Sequence, residues 1–149
     1  MDSKIYNKIM RWCARKEYSR QDILQKLVHL GYSHEDASTI VALLVENNFI
    51  DDYRYAKACA NDKFHHNKWG YRKIACMLKM HGIEDPVILE ALESIGADEY
   101  MQLLRKELKK KRKTIKTGTP EEIRAKLHRF ATGRGFDSDI VYLAMIDLE

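Results

Sequence analysis

Apolar residues return at every third or fourth position along nearly the whole chain, the 3.6-residue rhythm of helices with one buried face. Ile5, Ile9, Trp12 and Cys13 share the first such face, Ile23, Leu24, Leu27 and Val28 a second, and Ala37, Ile40, Val41 and Leu44 a third. Tyr55, Ala56, Cys59, Ala60 and Phe64 predict a fourth helix, Tyr71, Ile74, Ala75 and Leu78 a fifth, and Ile88, Ala91, Leu92 and Ile95 a sixth. Three more follow on Tyr100, Leu104 and Leu108, on Ile123, Leu127, Phe130 and Ala131, and on Phe136, Ile140, Leu143, Ala144 and Leu148. Strand-type alternation is absent, and the two prolines, Pro86 and Pro120, sit at breaks, so the predicted fold is all-α.

The breaks carry start and stop chemistry. Ser19-Arg20-Gln21-Asp22 reads as a capping box with the shorter Asp in place of Glu, Ser33 caps the third helix, and Glu84-Asp85-Pro86 and Thr119-Pro120 open later ones. The central joint is Phe49-Ile50-Asp51-Asp52-Tyr53-Arg54-Tyr55-Ala56, where an apolar pair closes one helical group and two aspartates open the next. An aspartate at an N-cap accepts from an unpaired N–H of the first turn and sits at the positive end of the helix dipole. Capping is therefore the expected role of Asp51 and Asp52, with Arg54 and Lys57 pairing to them; a metal or general-base site lacks further acids or histidines at matching spacing.

Leu27 precedes Gly31, and Leu78 precedes Gly82, by the same four positions, and Gly31, Gly82 and Gly135 each precede an aromatic or aliphatic residue. The glycines are 51 and 53 residues apart, which predicts three tandem three-helix repeats, residues 1–50, 51–96 and 97–149. Each repeat alone has too little core to be very stable, so stacking is expected. With helices of about 12–16 residues, each about 20 Å long, the array is expected to be an elongated, curved rod.

Hydrophobic residues make up 45% and charged residues 32% of the chain, as expected for amphipathic helices. No apolar run approaches a membrane span, and the first residues lack the apolar core of a signal peptide, so a cytoplasmic location is expected. Cys13, Cys59 and Cys76 are odd in number and far apart, and fit reduced core thiols. The formal charge is only +4, but Arg105 to Lys116 holds eight basic residues and one acid. Like charges at i,i+4 destabilise a helix by a few tenths of a kcal/mol per pair, so an anionic partner explains this run better than solubility alone.

Nucleic acid is the first candidate partner. Arg105, Lys109, Lys110, Lys111, Arg112, Lys113 and Lys116 are placed to neutralise phosphates, Arg124, Arg129 and Arg134 to extend the track, and Lys68, Arg72 and Lys73 to continue it. Trp69 and Tyr71 interleave that last patch and read either as base-stacking groups or as packing anchors at a glycine turn. No recognition-helix pattern supports sequence-specific readout. The six histidines are scattered, no nucleophile motif, phosphate loop or dinucleotide fingerprint is present, and the adjacent His65 and His66 diverge by about 100° on a helix. The expectation is a binding protein with no catalytic residues, metal or cofactor.

Arg15-Lys16-Glu17-Tyr18-Ser19, Asp22-Ile23, Lys26-Leu27 and Gly31 together resemble the first-repeat signature of the RecX regulatory proteins, and Phe49 to Ala56 resembles their most telling motif. Lys68, Gly70, Ile74, Leu78 and Gly82-Ile83 are similar to their second repeat. The likeness runs from about Arg11 to Ile95; beyond Gly96 architecture and charge carry it, and Asp22 stands where the family usually has Glu. The resemblance implies a monomeric modulator of the RecA recombinase in DNA repair, recombination and the SOS response. Such proteins lie in the groove of the RecA–DNA filament, on single- or double-stranded DNA, and usually inhibit strand exchange, ATP hydrolysis and coprotease activity. Tyr18, Ser19, Asp51, Asp52 and Arg54 match the family motif, and caps and repeat junctions are the roles expected for most of them.

Overall fold

The structure, a computed structural model, describes residues 3–146 and 148. Among the described residues every regular element is a helix: α1 (Ser3–Arg15), α2 (Arg20–His29), α3 (His34–Glu46), α4 (Asp52–Asn67), α5 (Tyr71–Met80), α6 (Asp85–Glu93), α7 (Ala97–Thr114), α8 (Pro120–Gly133) and α9 (Ser138–Ile146). None is long and apolar enough to cross a membrane. The starts follow the expected chemistry. The hydroxyls of Ser19, Ser33 and Thr119 accept from the N–H groups of Asp22, Asp36 and Glu122, three residues on.

Three stops are alike. Gly31, Gly82 and Gly135 all have left-handed φ, and the next residue's N–H reaches back five positions, Tyr32 to Leu27, Ile83 to Leu78 and Phe136 to Ala131. This is the Schellman closure, in which glycine avoids the Cβ penalty of the left-handed region.

The helices gather into two compact bodies, Met1–Cys59 with Leu78–Ala91, and Ala60–Met77 with Leu92–Glu149. In the first, Ile5, Ile9, Ile23, Leu27, Ala37, Ile40, Val41, Leu44 and Ile50 form one core cluster. In the second, Phe64, Ile74, Tyr100, Leu104, Leu108, Leu127, Phe136 and Val141 are buried. Tyr100 is the hub there: its ring is 3.8 Å from Tyr71, 5.7 Å from Phe64 and 5.0 Å from Phe136.

Three apolar assignments change. Val28 is 45% exposed, because the last turn of α2 keeps only Leu27 inside. On α9 the buried residues are Val141, Ala144 and Met145, while Leu143 is 54% exposed. Ser138–Ile146 is apolar nearly all round, so its rhythm does not choose a face. No disulfide joins the three cysteines among the described residues, but only Cys13 and Cys59 are half-buried; Cys76 is exposed and is no core residue.

Candidate nucleic-acid interface

The basic run lies on the C-terminal half of α7, beyond Leu108, the last buried residue of that helix. Lys109, Arg112, Lys113 and Lys116 are exposed, and Arg105 and Lys111 are half-buried. Their position supplies a local reason for the charges. The last-turn carbonyls form the negative end of the helix dipole, and a cation there gains about 0.3–1 kcal/mol, which offsets the i,i+4 repulsion. The Arg112 guanidinium caps its own helix by donating to the Ile115 carbonyl at 3.4 Å. Repulsion alone therefore does not call for a partner.

Lys111, Lys116, Lys126 and Arg129 line one open depression of about 500 Å³ between the end of α7 and α8, with Phe130, Thr114 and Thr117. Four cations and two hydroxyls around a concavity suit phosphate oxygens. Lys126 was absent from the sequence-based track, although its i,i+3 spacing to Arg129 signals a shared face. Arg112 and Arg124 line a different, more apolar depression with Pro120, Ile123, Leu127 and Met145. The track is thus two-sided rather than one stripe.

Backbone packing joins the Lys68–Lys73 patch to this helix pair. The N–H of Gly70 donates to the Arg134 carbonyl at 2.7 Å, and that of Arg72 to the Gly135 carbonyl at 3.0 Å. The unsatisfied N–H groups at the start of α5 thereby meet carbonyls at the end of α8. So close an approach needs glycine on both sides. A Cβ on Gly70 would lie 2.5 Å from backbone atoms of Gly135 and Phe136, and one on Gly135 would lie 2.4 Å from the Lys73 Cβ. Around the clamp, Arg72 Nε is 3.7 Å from Asp137, and Arg134 stacks its guanidinium 4.7 Å over Phe130. Glu107 neutralises part of the field, 3.4 Å from Lys110 and 3.7 Å from Arg134.

Trp69 and Tyr71 are spent differently. Lys63 and Lys73 hold their ammonium groups 5.2 Å and 4.7 Å from the Trp69 ring. Tyr71 lies flat on Tyr100, donates its hydroxyl to the Ile95 carbonyl at 3.2 Å, and its N–H donates to the Tyr100 hydroxyl at 3.0 Å. Burial pushes both phenols above their ordinary range. Packing accounts for Tyr71. Lys68 stands in the left-handed region, φ 60°, where it ends α4 and donates its ammonium to the His65 carbonyl.

Two family domains match this chain: the RecX second three-helix domain over residues 51–92 and the RecX third three-helix domain over residues 98–145. The chain belongs to the RecX family. It is 30% identical to the regulatory protein RecX of Prosthecochloris aestuarii over 97% of this chain and 93% of that one. Against the regulatory protein RecX of Chromohalobacter salexigens identity is 32%, over 91% and 87%. The crystal structure of RecX from Lactobacillus salivarius superposes with a TM-score of 0.90 at 20% identity, covering 98% of this chain and 95% of that one, a likeness of fold.

The motif residues Tyr18, Ser19, Asp51, Asp52 and Arg54 lie in the first body and hold it together. Ser19 is fully buried at the α2 cap. Asp51 accepts from the N–H of Arg54 at 3.0 Å, as expected of an N-cap. Asp52 does more than open α4: its carboxylate accepts from the N–H of Arg20 at 2.8 Å, tying the first residue of α2 to the first of α4. Burial pushes the Asp52 carboxyl up, and the Arg20 N–H opposes that shift. Two expectations are corrected here. The Arg54 guanidinium bonds Glu17 at 2.7 Å and the carbonyls of Asn48 and Phe49 rather than the aspartates, because the left-handed turn at Asn48 leaves those carbonyls without helical donors. The Asp22 carboxylate, expected to complete the capping box, instead accepts from His81 Nδ1 at 2.9 Å. Tyr18 is half-buried against the core, with Lys16 and Lys26 over its ring.

Proposed function

We propose that this RecX-family chain regulates the RecA recombinase by binding the RecA–DNA filament in the cytoplasm, as a monomer, and inhibits its recombinase, ATPase and coprotease activities. Family membership supports the regulatory half of this reading. The nucleic-acid half rests on one observation: the cations flanking Gly70, the cleft of Lys111, Lys116, Lys126 and Arg129, and Arg134 belong to one body clamped by the Gly70–Gly135 backbone pairing. Phosphates bound there release counterions, a driving force that needs no base readout and suits a filament of any sequence. Three three-helix repeats, residues 1–50, 51–96 and 97–149, supply several modest contacts, and contacts on one chain add through effective concentration. The repeated Schellman closures at Gly31, Gly82 and Gly135 support that division.

The same basic cleft supports a second reading, a nonspecific nucleic-acid-binding protein acting without RecA. Strand exchange by RecA preassembled on a single strand separates the two. Inhibition at concentrations too low to coat the bare strand is the expected result. Inhibition that appears only when free strand is sequestered gives the second reading.

A further inference from the structure

The basic residues of α1 take no part in the interface described above. In the first body Lys8 and Lys26 place their ammonium groups 5.6 Å and 4.5 Å from the Trp12 ring, and Lys26 and Lys16 place theirs 5.5 Å and 4.7 Å from the Tyr18 ring. The result is a continuous ladder, Lys8, Trp12, Lys26, Tyr18, Lys16, in which cation and aromatic alternate across α1, the turn after it and α2. The three lysines are exposed and the two rings half-buried. All but Lys8 line one groove of about 580 Å³. Two acids also line it, Glu17 and Asp22, and both are paired, with Arg54 and with His81. Arg54 neutralises Glu17, and the two lysines outnumber the one remaining acid, Asp22, so the groove carries net positive charge.

We propose that this ladder is a second nucleic-acid contact, selective for single strands and indifferent to sequence. It is independent of the tract on α7 and α8. Successive ammonium groups along it are at most about 10 Å apart, within the reach of flexible lysines to phosphates on one strand. The rings supply what a duplex cannot use and an unpaired base can. An exposed cation–π contact is worth about a 2- to 5-fold factor, whereas a base stacked on an aromatic side chain is worth about 5- to 150-fold. Exchange is favourable: each lysine moves from ring to phosphate, and each vacated ring takes a base. An acidic peptide would satisfy the lysines and leave Trp12 and Tyr18 as they are.

The chain has two tryptophans, so Trp69→Phe leaves Trp12 as the sole indole reporter in the full-length protein. Titration with an oligothymidylate of about twelve nucleotides should quench Trp12 saturably, and poly-glutamate of equal charge should not. Adding K8Q, K16Q and K26Q should weaken oligothymidylate binding about tenfold or more and flatten its salt slope by about 2. Quenching should persist when Lys109 to Lys113 are changed to Gln, which separates this site from the α7 tract. An unchanged Trp12 signal at saturating oligonucleotide overturns the proposal, as does an unchanged salt slope in the triple variant. Equal quenching by poly-glutamate overturns it too and assigns the groove to an acidic peptide.

Discussion

Ten basic and eleven acidic residues fall in the first body, sixteen and eleven in the second, yet both are bundles of one-faced helices. In the first body the conspicuous polar residues are turned inward on the fold. Ser19, Asp51, Asp52 and Arg54 cap helix ends, and Asp22 and Glu17 are taken by His81 and Arg54. In the second body the cations cluster on exposed helix ends, where Glu107 answers Lys110 and Arg134, and Asp137 answers Arg72. A distinctive motif therefore marks where the chain fastens itself, while the undistinguished lysine run is mostly exposed and, in the proposed function, meets phosphates. Substitutions of the first-body motif and of the second-body lysines should separate accordingly, stability in one and salt-dependent duplex binding in the other.

The largest effect is expected where the comparison breaks down, at a second-body site that is structural. Gly135→Ala puts a methyl against Lys73 and keeps a left-handed backbone, and together these should cost about 2–4 kcal/mol in urea unfolding. Duplex affinity should fall with it, because the Lys68–Lys73 patch loses its anchor to α8. Ser19→Ala should cost about 1–2 kcal/mol through loss of a buried cap, with the salt slope of duplex binding unchanged. A changed slope would give Ser19 a role beyond the fold.

Lys68→Gly is expected to move the two readouts in opposite directions. Relief of the left-handed backbone should stabilise the chain by about 1 kcal/mol, while loss of a cation weakens duplex binding. The smallest effect concerns His65. Hydrogen bonding to the Asn61 carbonyl and to Glu99 raises its pKa above the ordinary 6.5. Folding thus favours the protonated ring. Its contribution is complete below about pH 6.5 and is lost as the pH rises through the raised folded value. The pair is half-exposed, so the loss should be only a few tenths of a kcal/mol, seen as a slope in unfolding free energy between about pH 6 and 8 that His65→Gln removes.

Helix count, caps and the glycine stops were legible in the sequence because each rests on local chemistry within five residues. Val28 and the face of α9 were not, since burial there depends on neighbours in space and the α9 rhythm is apolar throughout. The basic residues could be named from the sequence, but their arrangement could not. Two backbone hydrogen bonds between residues more than sixty positions apart join Lys68–Lys73 to Arg134, and no periodicity reports them. Asp52 shows the same limit: its cap on α4 reads from the sequence, its bond to Arg20 does not.

The division of labour between the bodies is tested most directly by the salt dependence of duplex DNA binding in two variants of the full chain. Five consecutive residues wrap a helix completely, so about three of Lys109 to Lys113 can meet phosphates at once, and changing all five to Gln should flatten the slope by about 3. Asp52→Asn with Arg54→Gln should lower unfolding stability and leave that slope as it is. The reverse pattern, an unchanged slope without the lysines or a flattened one without the motif pair, would contradict the account.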